Sequence, residues 1–309
     1  MKAVMNLCVV NFKPTWADKE DNLARMVDYA ACAAKQGADM IVFPEMALTG
    51  YDDEPEKPIA EKMQVKLAEP IPGPATQMLG TIAKQYGCTI VFGMPQTTPE
   101  GVEKVYNAAA ILQPDGTALA YQKMHLPGAE NNWATPGETP MVFDTAWGPV
   151  GLGICYDAYC FPELSRYACA KGARLFLNPT ACCHEAVIPE MTQRQSEAYV
   201  YMNPVYIANA NLVGEDKVSH FYGGSSIVGM DADNKKIVYY AGYPFGDPEG
   251  ELPVMYMATI DLSILNRKTD IPLYETNPRT GKPDWRPEIY KAMMQDILAD
   301  PAWQAKTKK

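Results

Sequence analysis

The 309-residue sequence predicts an α/β protein built on a mixed sheet or on two sheets. Short apolar strands alternate with amphipathic helices over most of the chain. Two hairpin patterns interrupt this alternation, which favours a mixed sheet or two sheets over a purely parallel one. No linker-like segment and no repeat divides the pattern, so we expect one α/β domain.

The individual elements follow from the spacing of the apolar residues. In the first helix, Leu23, Met26, Val27 and Ala30 recur at helical spacing, and Gly37 marks its end. The same reasoning predicts strands at 3–12, 39–45, 88–94, 148–154, 173–181, 204–214 and 254–262, and helices at 17–37, 74–87, 162–172 and 190–203.

Two turns join strands directly and define the hairpins. The first contains Pro114 and Gly116, where proline sets φ and glycine tolerates a positive φ. The second turn is at 231–234. The paired segments are 105–113 with 118–126 and 223–230 with 235–242.

Composition and charge exclude several classes of protein. With 47% hydrophobic and 21% charged residues, the chain has enough apolar residues for a large core. Its formal net charge of −10 argues against a general nucleic-acid binder, because such proteins need clustered Lys and Arg. The N-terminus lacks the pattern of a signal peptide, and no apolar run is long enough to span a bilayer. We therefore expect neither a nucleic-acid nor a membrane partner.

The eight cysteines are expected to be reduced thiols in the cytoplasm. Their spacing does not predict a metal site, since no CxxC pair occurs. Cys182, Cys183 and His184 are consecutive and cannot form a tetrahedral zinc site alone. We expect no metal and no organic cofactor.

Three reactive side chains stand in or just after apolar strands: Glu45, Lys123 and Cys155. Strand ends meet at a common edge in α/β folds, where ligand sites gather. A thiolate attacks a carbonyl carbon, a carboxylate can move its proton, and an ammonium can stabilise the resulting oxyanion. The Tyr156 backbone N–H is a further candidate for that oxyanion. These are the parts for hydrolysis through a thioester.

Each of these residues also has a structural explanation. Cys155 is a small hydrophobe suited to a core, and Lys123 can extend from a hairpin into solvent. His125 is an alternative base, and its spacing from Lys123 shows only that both point to one face of a strand. Spacing alone leaves these alternatives open.

The sequence resembles the nitrilase, or carbon–nitrogen hydrolase, superfamily over roughly residues 3–265. Three motifs occur in the order that the family has: "FPEMALTGY" at 43–51, "YQKMHLPG" at 121–128 and "GICYDAYCFPEL" at 153–164. Secondary matches include "YNAAAILQPDG", "ATPGE", "AKGARLFLNPTA" and "PVYIANANLVG". Three motifs in this order are highly specific.

The resemblance implies roles for four residues. Glu45 is then the general base and acid, Lys123 the oxyanion stabiliser and Cys155 the nucleophile. A fourth carboxylate is expected to hold Lys123, and Glu130 fits it better than Glu138 does.

The resemblance also implies an α-β-β-α sandwich, a four-layer arrangement whose subunits pair into a homodimer or a dimer-based homo-oligomer. Residues 1–265 would form the hydrolase domain. Residues 266–309, which begin with a proline-rich stretch of little periodicity, would form an arm that packs on this domain or on a partner subunit.

The nucleophile motif departs from the family pattern. Tyr156 and Asp157 follow the nucleophile, as in the amidase and carbamoylase branches, whereas nitrilases usually have Trp-Glu. Three residues separate Asp157 from the "FPE" that follows, one more than in many members of those branches. We expect the extra residue to bulge the turn and reshape a pocket wall. Arginines that would grip a carboxylate are missing after the nucleophile, which weakens a preference for N-carbamoyl-D-amino acids. Cys160 falls on or just before the following helix, and its default role is packing.

The predicted pocket walls come from three segments. Residues 180–191 follow a strand that ends at the same edge, so Ala181 and Cys182 should line the pocket. Glu185 either recognises a substrate amine or is a solvated carboxylate, and Val187 is a further candidate for the wall. Aromatic walls are assigned to Tyr51 and Trp133, and Tyr156 is a further substrate-binding candidate.

The sequence therefore predicts a cytoplasmic thiol amidohydrolase acting on a small linear amide. An N-carbamoyl amine or amino acid is the main alternative substrate. Acyl transfer to an amine and nitrile hydrolysis are further alternatives on the same scaffold, and a non-catalytic binding protein is disfavoured because Glu45, Lys123 and Cys155 are all present.

Overall fold

The computed structural model describes residues 1–98, 101–186, 188–233, 235–267 and 273–307. Val187, residue 234 of the second predicted turn and parts of the predicted arm (268–272 and 308–309) lie outside the described residues. The chain divides into two compact units, Met1–Asn266 and Arg267–Lys309.

The strands of the described chain all belong to the first unit. In chain order they are β1 (Val4–Asn11), β2 (Met40–Val42), β3 (Thr89–Thr98), β4 (Gly101–Leu112), β5 (Ala118–Gln122), β6 (Met141–Thr145), β7 (Gly148–Leu152), β8 (Leu175–Thr180), β9 (Tyr206–Asn211), β10 (Val213–Glu215), β11 (His220–Tyr222), β12 (Ser226–Met230), β13 (Ile237–Gly242) and β14 (Val254–Asp261).

The α-helices of the first unit flank these strands, and the second unit contains two more. They are α1 (Lys19–Lys35), α2 (Met63–Leu67), α3 (Pro74–Tyr86), α4 (Tyr156–Cys160), α5 (Pro162–Ala170), α6 (Pro189–Met202), α7 (Pro287–Ala299) and α8 (Pro301–Thr307). Short 3₁₀ turns occur at Ile59–Glu61, Gly128–Asn132, Pro248–Gly250 and Leu262–Arg267.

Within the described residues, the first unit contains two six-stranded mixed sheets and a small β10–β11 ribbon. The strand orders are β14-β1-β2-β3-β4-β5 and β13-β12-β9-β8-β7-β6. In each sheet three neighbouring strands are parallel, and the outer strands are antiparallel to their neighbours. This confirms the α/β class and the two-sheet interpretation.

The main core lies between the two sheets. Apolar side chains from one face of each sheet meet there, including Leu7 and Val42 from the first and Leu152, Leu175 and Ala208 from the second. Alternate residues of β1, such as Cys8 and Val10, point the other way and pack against α1 and α3. Helices α5 and α6 cover the outer face of the second sheet. The result is the predicted α-β-β-α sandwich.

Helix boundaries follow local signals. The Asp18 carboxylate accepts the Asp21 N–H at 3.1 Å and caps α1. Gly87 ends α3 in the left-handed region at φ 68°, a conformation that glycine adopts without steric cost.

Some elements differ from the sequence-based expectations. Strands β6 and β11 were not anticipated, since each is short and neither shows clear alternation. The segment that we expected to form an arm contains two helices that were not predicted, α7 and α8, each of which begins at a proline in its first turn. How this second unit packs stays a prediction. No helix among the described residues has the length and apolar character needed to cross a bilayer.

Candidate active site

The three predicted reactive residues follow strand ends on the two sheets. Glu45 lies three residues after β2, Lys123 directly follows β5, and Cys155 lies three residues after β7. Glu45 and Lys123 are fully buried, and Cys155 is 8% exposed. The first sheet therefore supplies the charged side chains and the second sheet supplies the thiol.

The turn that carries Glu45 is held tightly against β3. The Phe43 N–H donates to the Val91 carbonyl at 2.8 Å, and the Gly93 N–H donates to the Pro44 carbonyl at 2.9 Å. A Cβ at Gly93 would lie 2.3 Å from the Met46 amide nitrogen, so a side chain there would displace the turn. Sequence analysis missed Gly93, although a glycine inside a strand signals such a close backbone approach.

Lys123 is placed between two carboxylates. Its Nζ lies 2.7 Å from Glu45 Oε1 and 2.5 Å from Glu130 Oε1. The Gly137 N–H donates to the Lys123 carbonyl at 2.8 Å, which holds the backbone of the lysine in place. Glu130 is buried and Glu138 is exposed, so the structure brings Glu130 and not Glu138 to Lys123.

Asn107 and Tyr51 complete the hydrogen bonding of the two carboxylates. Asn107 Nδ2 donates to Glu45 Oε1 at 2.7 Å and to Glu130 Oε2 at 3.1 Å. Tyr51 Oη donates to Glu130 Oε1 at 2.7 Å. Asn107 was not predicted from the sequence; its signal is a polar residue directly before the apolar run that ends β4.

The two carboxylate oxygens of Glu45 differ in their hydrogen bonding. Glu45 Oε2 is buried and has no hydrogen-bond partner within the described part of the chain. Burial raises the pKa of Glu45 well above its ordinary value, against the opposing charge of Lys123. Burial lowers the pKa of Lys123, but Glu130 and Glu45 raise it by more, so the lysine stays an ammonium. Glu45 Oε2 is thus a free proton acceptor.

Cys155 stands at a sharp turn between β7 and α4. Its backbone has φ 49° and ψ −105°, an uncommon conformation for a residue with a side chain. The Cys155 N–H donates to the Pro179 carbonyl at 3.0 Å and to Asn178 Oδ1 at 3.2 Å. These contacts extend the pairing of β7 with β8 up to the cysteine and fix its position.

The Cys155 sulfur lies 3.9 Å from the Cys182 sulfur. This contact and burial raise the pKa of the Cys155 thiol well above its ordinary value, although Lys123 acts in the opposite direction. The Cys155 thiol is therefore neutral without substrate, and its attack on a carbonyl requires a base.

Asp157, two residues after Cys155, connects the turn at Cys155 to the segment that contains Lys123. Its carboxylate accepts hydrogen bonds from Tyr121 Oη at 2.7 Å and from the His125 N–H at 3.0 Å. His125 Nδ1 lies 2.7 Å from Asp157 Oδ1, and the imidazole stacks on Phe161. The histidine is thus engaged with Asp157 and Phe161.

The aromatic residues assigned to the pocket walls have distinct positions. Tyr51 donates to Glu130, as described above. Trp133 is buried against Met46 and Val105, behind the Glu45 turn. Tyr156 is half-buried and contacts Phe161 edge-on.

In the segment after β8, some of the predicted residues lie in the site and others lie at the protein surface. Ala181 and Cys182 are buried, and Cys182 contacts Cys155. Glu185 is exposed, and its carboxylate accepts the His220 N–H at 2.9 Å, which keeps its pKa below the ordinary value. Recognition of a substrate amine by Glu185 stays a prediction.

Cys160, for which packing was the default expectation, is exposed. The segment with the extra residue forms the short helix α4, and residues four apart share a helix face. Cys160 therefore lies on the same outward side as Tyr156, while Tyr159 is buried. The extra residue is accommodated as a helical turn.

Among the residues that the structure describes, no group of three or more His, Cys, Asp and Glu side chains has an arrangement suited to a metal ion. The site described above thus consists of a buried carboxylate–ammonium cluster facing a thiol. Such a set can perform general acid–base and nucleophilic chemistry.

Comparisons with known proteins agree with this geometry. Residues 6–234 match the model of the carbon-nitrogen hydrolase family. The chain is 34% identical to the human omega-amidase NIT2 over 220 residues, which are 68% of this chain and 75% of that protein.

Solved structures show the same fold. An amidase from Nesterenkonia sp. superposes with a TM-score of 0.71 and 26% identity, over 95% of this chain and 97% of that one. A mutant of the amidase from Nesterenkonia sp. AN1 shows covalent addition of the acetamide moiety of fluoroacetamide at its active site cysteine; it matches with a TM-score of 0.68 and 27% identity, over 87% and 94% of the two chains. The chain described here belongs to the carbon–nitrogen hydrolase family of the nitrilase superfamily and is an amidohydrolase.

Proposed function

We propose that this enzyme hydrolyses small linear amides through a thioester on Cys155, with Glu45 as the general base and acid and Lys123 as the oxyanion stabiliser. The observation that carries this proposal is the division of labour between the two oxygens of Glu45. Oε1 is held by Lys123 and Asn107, and the buried Oε2 has no partner in the described chain. One oxygen fixes the carboxylate while the other is free to move a proton.

In the first half-reaction the substrate carbonyl lies beside Lys123, and the Cys155 sulfur attacks its carbon. Glu45 Oε2 takes the thiol proton as the S–C bond forms. The raised pKa of Glu45 suits this transfer, because the carboxylate is then a stronger base than an exposed glutamate. Glu45 next donates that proton to the leaving nitrogen, and ammonia or an amine departs from the thioester.

In the second half-reaction water replaces the amine. Glu45 Oε2 accepts a proton from the water, whose oxygen attacks the thioester carbonyl. The C–S bond breaks, the Cys155 sulfur recovers a proton from Glu45, and the carboxylic acid leaves. Each proton that Glu45 accepts is returned within the same half-reaction, so the cycle needs no metal or organic cofactor.

The negative oxygen that develops in both half-reactions has two donors nearby. Lys123 is an ammonium held by Glu45 and Glu130. Tyr156 is the first residue of α4, and the N–H of such a residue has no acceptor within its own helix. A preorganised donor in a buried site stabilises such an oxyanion strongly, because no solvent has to reorient.

The surroundings of Cys155 favour an uncharged acyl group. Cys155 packs in a cluster with Tyr159, Cys182, Tyr222 and Phe245. Lys123, the cation whose charge acts on Cys155, is already paired with two carboxylates. A carboxylate on the acyl chain would lose its water there without gaining a free cation. The acetamide moiety that adds to the active site cysteine of the Nesterenkonia amidase is likewise small and uncharged, which supports a short, uncharged substrate.

An ammonia-release screen tests this function. We expect turnover of short aliphatic primary amides and weaker turnover of amides that carry a carboxylate, of N-carbamoyl amino acids and of nitriles. Cys155→Ala is the matched inactive control, and Cys160→Ala is the control for a cysteine outside the site. Faster release from N-carbamoyl compounds would contradict the substrate assignment, and turnover by Cys155→Ala would contradict the mechanism.

A location in the cytoplasm and a dimer-based assembly are further proposals. All eight cysteines are free thiols, which is usual in the reducing cytoplasm. Light scattering on the purified chain would measure the assembly, and we expect a dimer or a multiple of dimers.

A further inference from the structure

Cys182 lies in contact with the proposed nucleophile although 27 residues separate the two in sequence. The two sulfur atoms are 3.9 Å apart, and both side chains are buried, with Cys155 8% and Cys182 2% exposed. The mechanism proposed above gives Cys182 no part in either half-reaction. A second thiol at this distance from a nucleophilic thiol calls for its own explanation.

The backbones of both cysteines are fixed by hydrogen bonds. The Cys155 N–H is held by Pro179 and Asn178, and the Cys182 N–H donates to Asn211 Oδ1 at 2.8 Å. A disulfide requires the sulfurs to approach by about 1.9 Å, to the usual bond length of about 2.0 Å. Rotation of the side chains about χ1 moves a sulfur by this amount without moving the backbone.

The surroundings of Cys182 favour its thiolate. Thr180 Oγ1 lies 3.1 Å from the Cys182 sulfur. Burial raises the pKa of Cys182, but hydrogen bonds from Cys155, Thr180 and Tyr222 lower it by more, so its pKa is below the ordinary value. Thiolates are the form that attacks peroxides and oxidised sulfur.

The remaining cysteines lack this arrangement. Burial raises the pKa of Cys8 and Cys169 to about 12 and that of Cys88 to about 11, so these core thiols are unreactive. Cys183 is buried, and its pKa is also raised by burial. The sulfur pair of Cys155 and Cys182 is thus set apart by both its contact and its electrostatics.

We propose that Cys155 and Cys182 form a reversible disulfide when the enzyme meets a peroxide, and that this disulfide protects the nucleophile from irreversible oxidation. The proposal rests on Cys155 being the nucleophile. While the disulfide is present, the Cys155 sulfur is bonded and cannot attack an amide, so hydrolysis stops. A thiol reductant restores both thiols and the activity.

Oxidation of the two thiols to the disulfide takes two steps. One thiol attacks a peroxide oxygen: the O–O bond breaks, an S–O bond forms, and hydrogen peroxide leaves one molecule of water with a sulfenic acid. The other thiol then attacks the sulfenic sulfur: the S–O bond breaks, the S–S bond forms, and a second water leaves. Together the two thiols give two protons and two electrons to the peroxide. Without the second thiol, further peroxide takes the sulfenic acid to sulfinic acid, which thiols do not reduce.

The experiment uses the full chain with graded hydrogen peroxide, followed by dithiothreitol. Ammonia release is measured at each stage relative to the untreated sample of the same variant, and cysteine peptides are identified by mass spectrometry. Wild type is compared with Cys182→Ser and with the matched control Cys183→Ser, which changes the neighbouring thiol. We expect wild type and Cys183→Ser to lose activity, to gain a Cys155–Cys182 cross-link lighter by two hydrogens, and to recover most activity with reductant. Cys182→Ser removes the thiol contact that contributes most to the raised pKa of Cys155 and leaves Lys123, which acts to lower it, so this variant should recover several-fold less and carry sulfinic acid on Cys155.

Three results would overturn the proposal. Wild type could be inactivated as irreversibly as Cys182→Ser, the cross-link could join Cys182 to Cys183, or cross-linked protein could retain turnover. Failure of the proposed function has a separate signature, because untreated wild type would then release no ammonia and Cys155→Ala would match it. The cross-link itself is read from wild type by mass, independently of turnover and of how any variant folds.

Discussion

The two sheets contribute unlike halves to the active site. The half from the first sheet is ionic: Glu45, Lys123 and Glu130 are buried, and Asn107 and Tyr51 hold their carboxylates. The half from the second sheet is built of thiols and hydroxyls.

In that second half the Cys155 sulfur contacts Cys182, and Cys182 contacts the Thr180 hydroxyl. Tyr159 Oη donates to Thr180 Oγ1 at 3.2 Å, and Asn178 Nδ2 donates to Tyr159 Oη at 2.9 Å. The polar groups form a chain that ends at Cys155, the proposed nucleophile.

The difference between the two halves indicates which of them would activate the Cys155 thiol. The raised pKa of Cys155 keeps the nucleophile protonated, so the thiol half is not activated on its own. The ionic half holds a base and an ammonium in fixed positions before substrate arrives. In the proposed mechanism, attack depends on proton transfer from Cys155 on the second sheet to Glu45 on the first, and each half can be weakened separately.

Breaking the ionic half should have the largest effect. Lys123→Met removes the proposed oxyanion donor and should lower kcat by about 10²–10³-fold. It also leaves two buried carboxylates without their cation, which should destabilise the fold by about 3–5 kcal/mol. Steady-state ammonia release and urea unfolding measure the two effects.

Lys62→Met is the matched control. Lys62 is also a buried lysine, and its Nζ lies 2.6 Å from Asp53 outside the site. It should lose stability while keeping kcat within a few-fold of wild type. Equal losses of kcat in both variants would mean that Lys123 acts through the fold alone.

Glu130→Gln should change the pH dependence of catalysis as well as its rate. After burial, the charge of Glu130 is one of the causes that raise the pKa of Glu45. Glu45 must be ionised to accept the thiol proton, so kcat/KM falls as pH drops through that pKa. In wild type this fall should lie above the ordinary glutamate range, and Glu130→Gln should move it to lower pH. A pH profile of kcat/KM that stays in place would contradict this electrostatic link.

Tyr51 belongs to the ionic half and Tyr159 to the thiol half, so phenylalanine substitutions at these positions compare the contributions of the two halves to kcat/KM. Tyr51→Phe removes a hydrogen bond to the Glu130 carboxylate, and bonds to charged groups contribute about 1.5–3 kcal/mol. Tyr159→Phe removes two bonds to neutral groups, one donated to the Thr180 hydroxyl and one accepted from Asn178 Nδ2, and about 0.5–1.5 kcal/mol is usual for each. We expect about a tenfold loss of kcat/KM for Tyr51→Phe and a smaller loss for Tyr159→Phe. The reverse order would show that the thiol half is the more sensitive one.

The smallest expected effect concerns a loop beside Tyr51. The carboxylate of Asp216 accepts the backbone N–H groups of Tyr51 and Asp52, at 2.8 and 3.1 Å. Burial raises the pKa of Asp216 to about 6. A raised folded-state pKa means that the contribution of Asp216 to stability is present below about pH 4 and is lost as pH rises through about 6. Asp216→Asn should remove this pH dependence of Tm. If Tm of the variant changes with pH as steeply as Tm of wild type, Asp216 is not its source.

The parts of the site at strand ends were predictable from sequence. Glu45, Lys123 and Cys155 each stand in or just after an apolar run, and parallel strand ends share an edge. The α-β-β-α layers followed from the alternation of elements together with the family resemblance.

Other parts were not predictable because they depend on contacts between distant segments. Asn107 is one polar residue in a long strand, and its two acceptors lie on other loops. The contact of Cys182 with Cys155 depends on where a loop turns after β8. The exposure of Cys160 required knowing that α4 forms, and five residues carry too little periodicity to show it.

The central claim is that Cys155 becomes acylated, and rapid-quench mass spectrometry tests it most directly. Wild type, Cys155→Ala and Cys160→Ala are mixed with a short aliphatic amide, quenched in acid and digested. We predict an acyl group on the Cys155 peptide in wild type and in Cys160→Ala, removable by hydroxylamine as expected for a thioester. Cys155→Ala should carry no acyl group and release no ammonia. An acyl group on Cys160 or Cys182, or ammonia release without Cys155, would contradict the account.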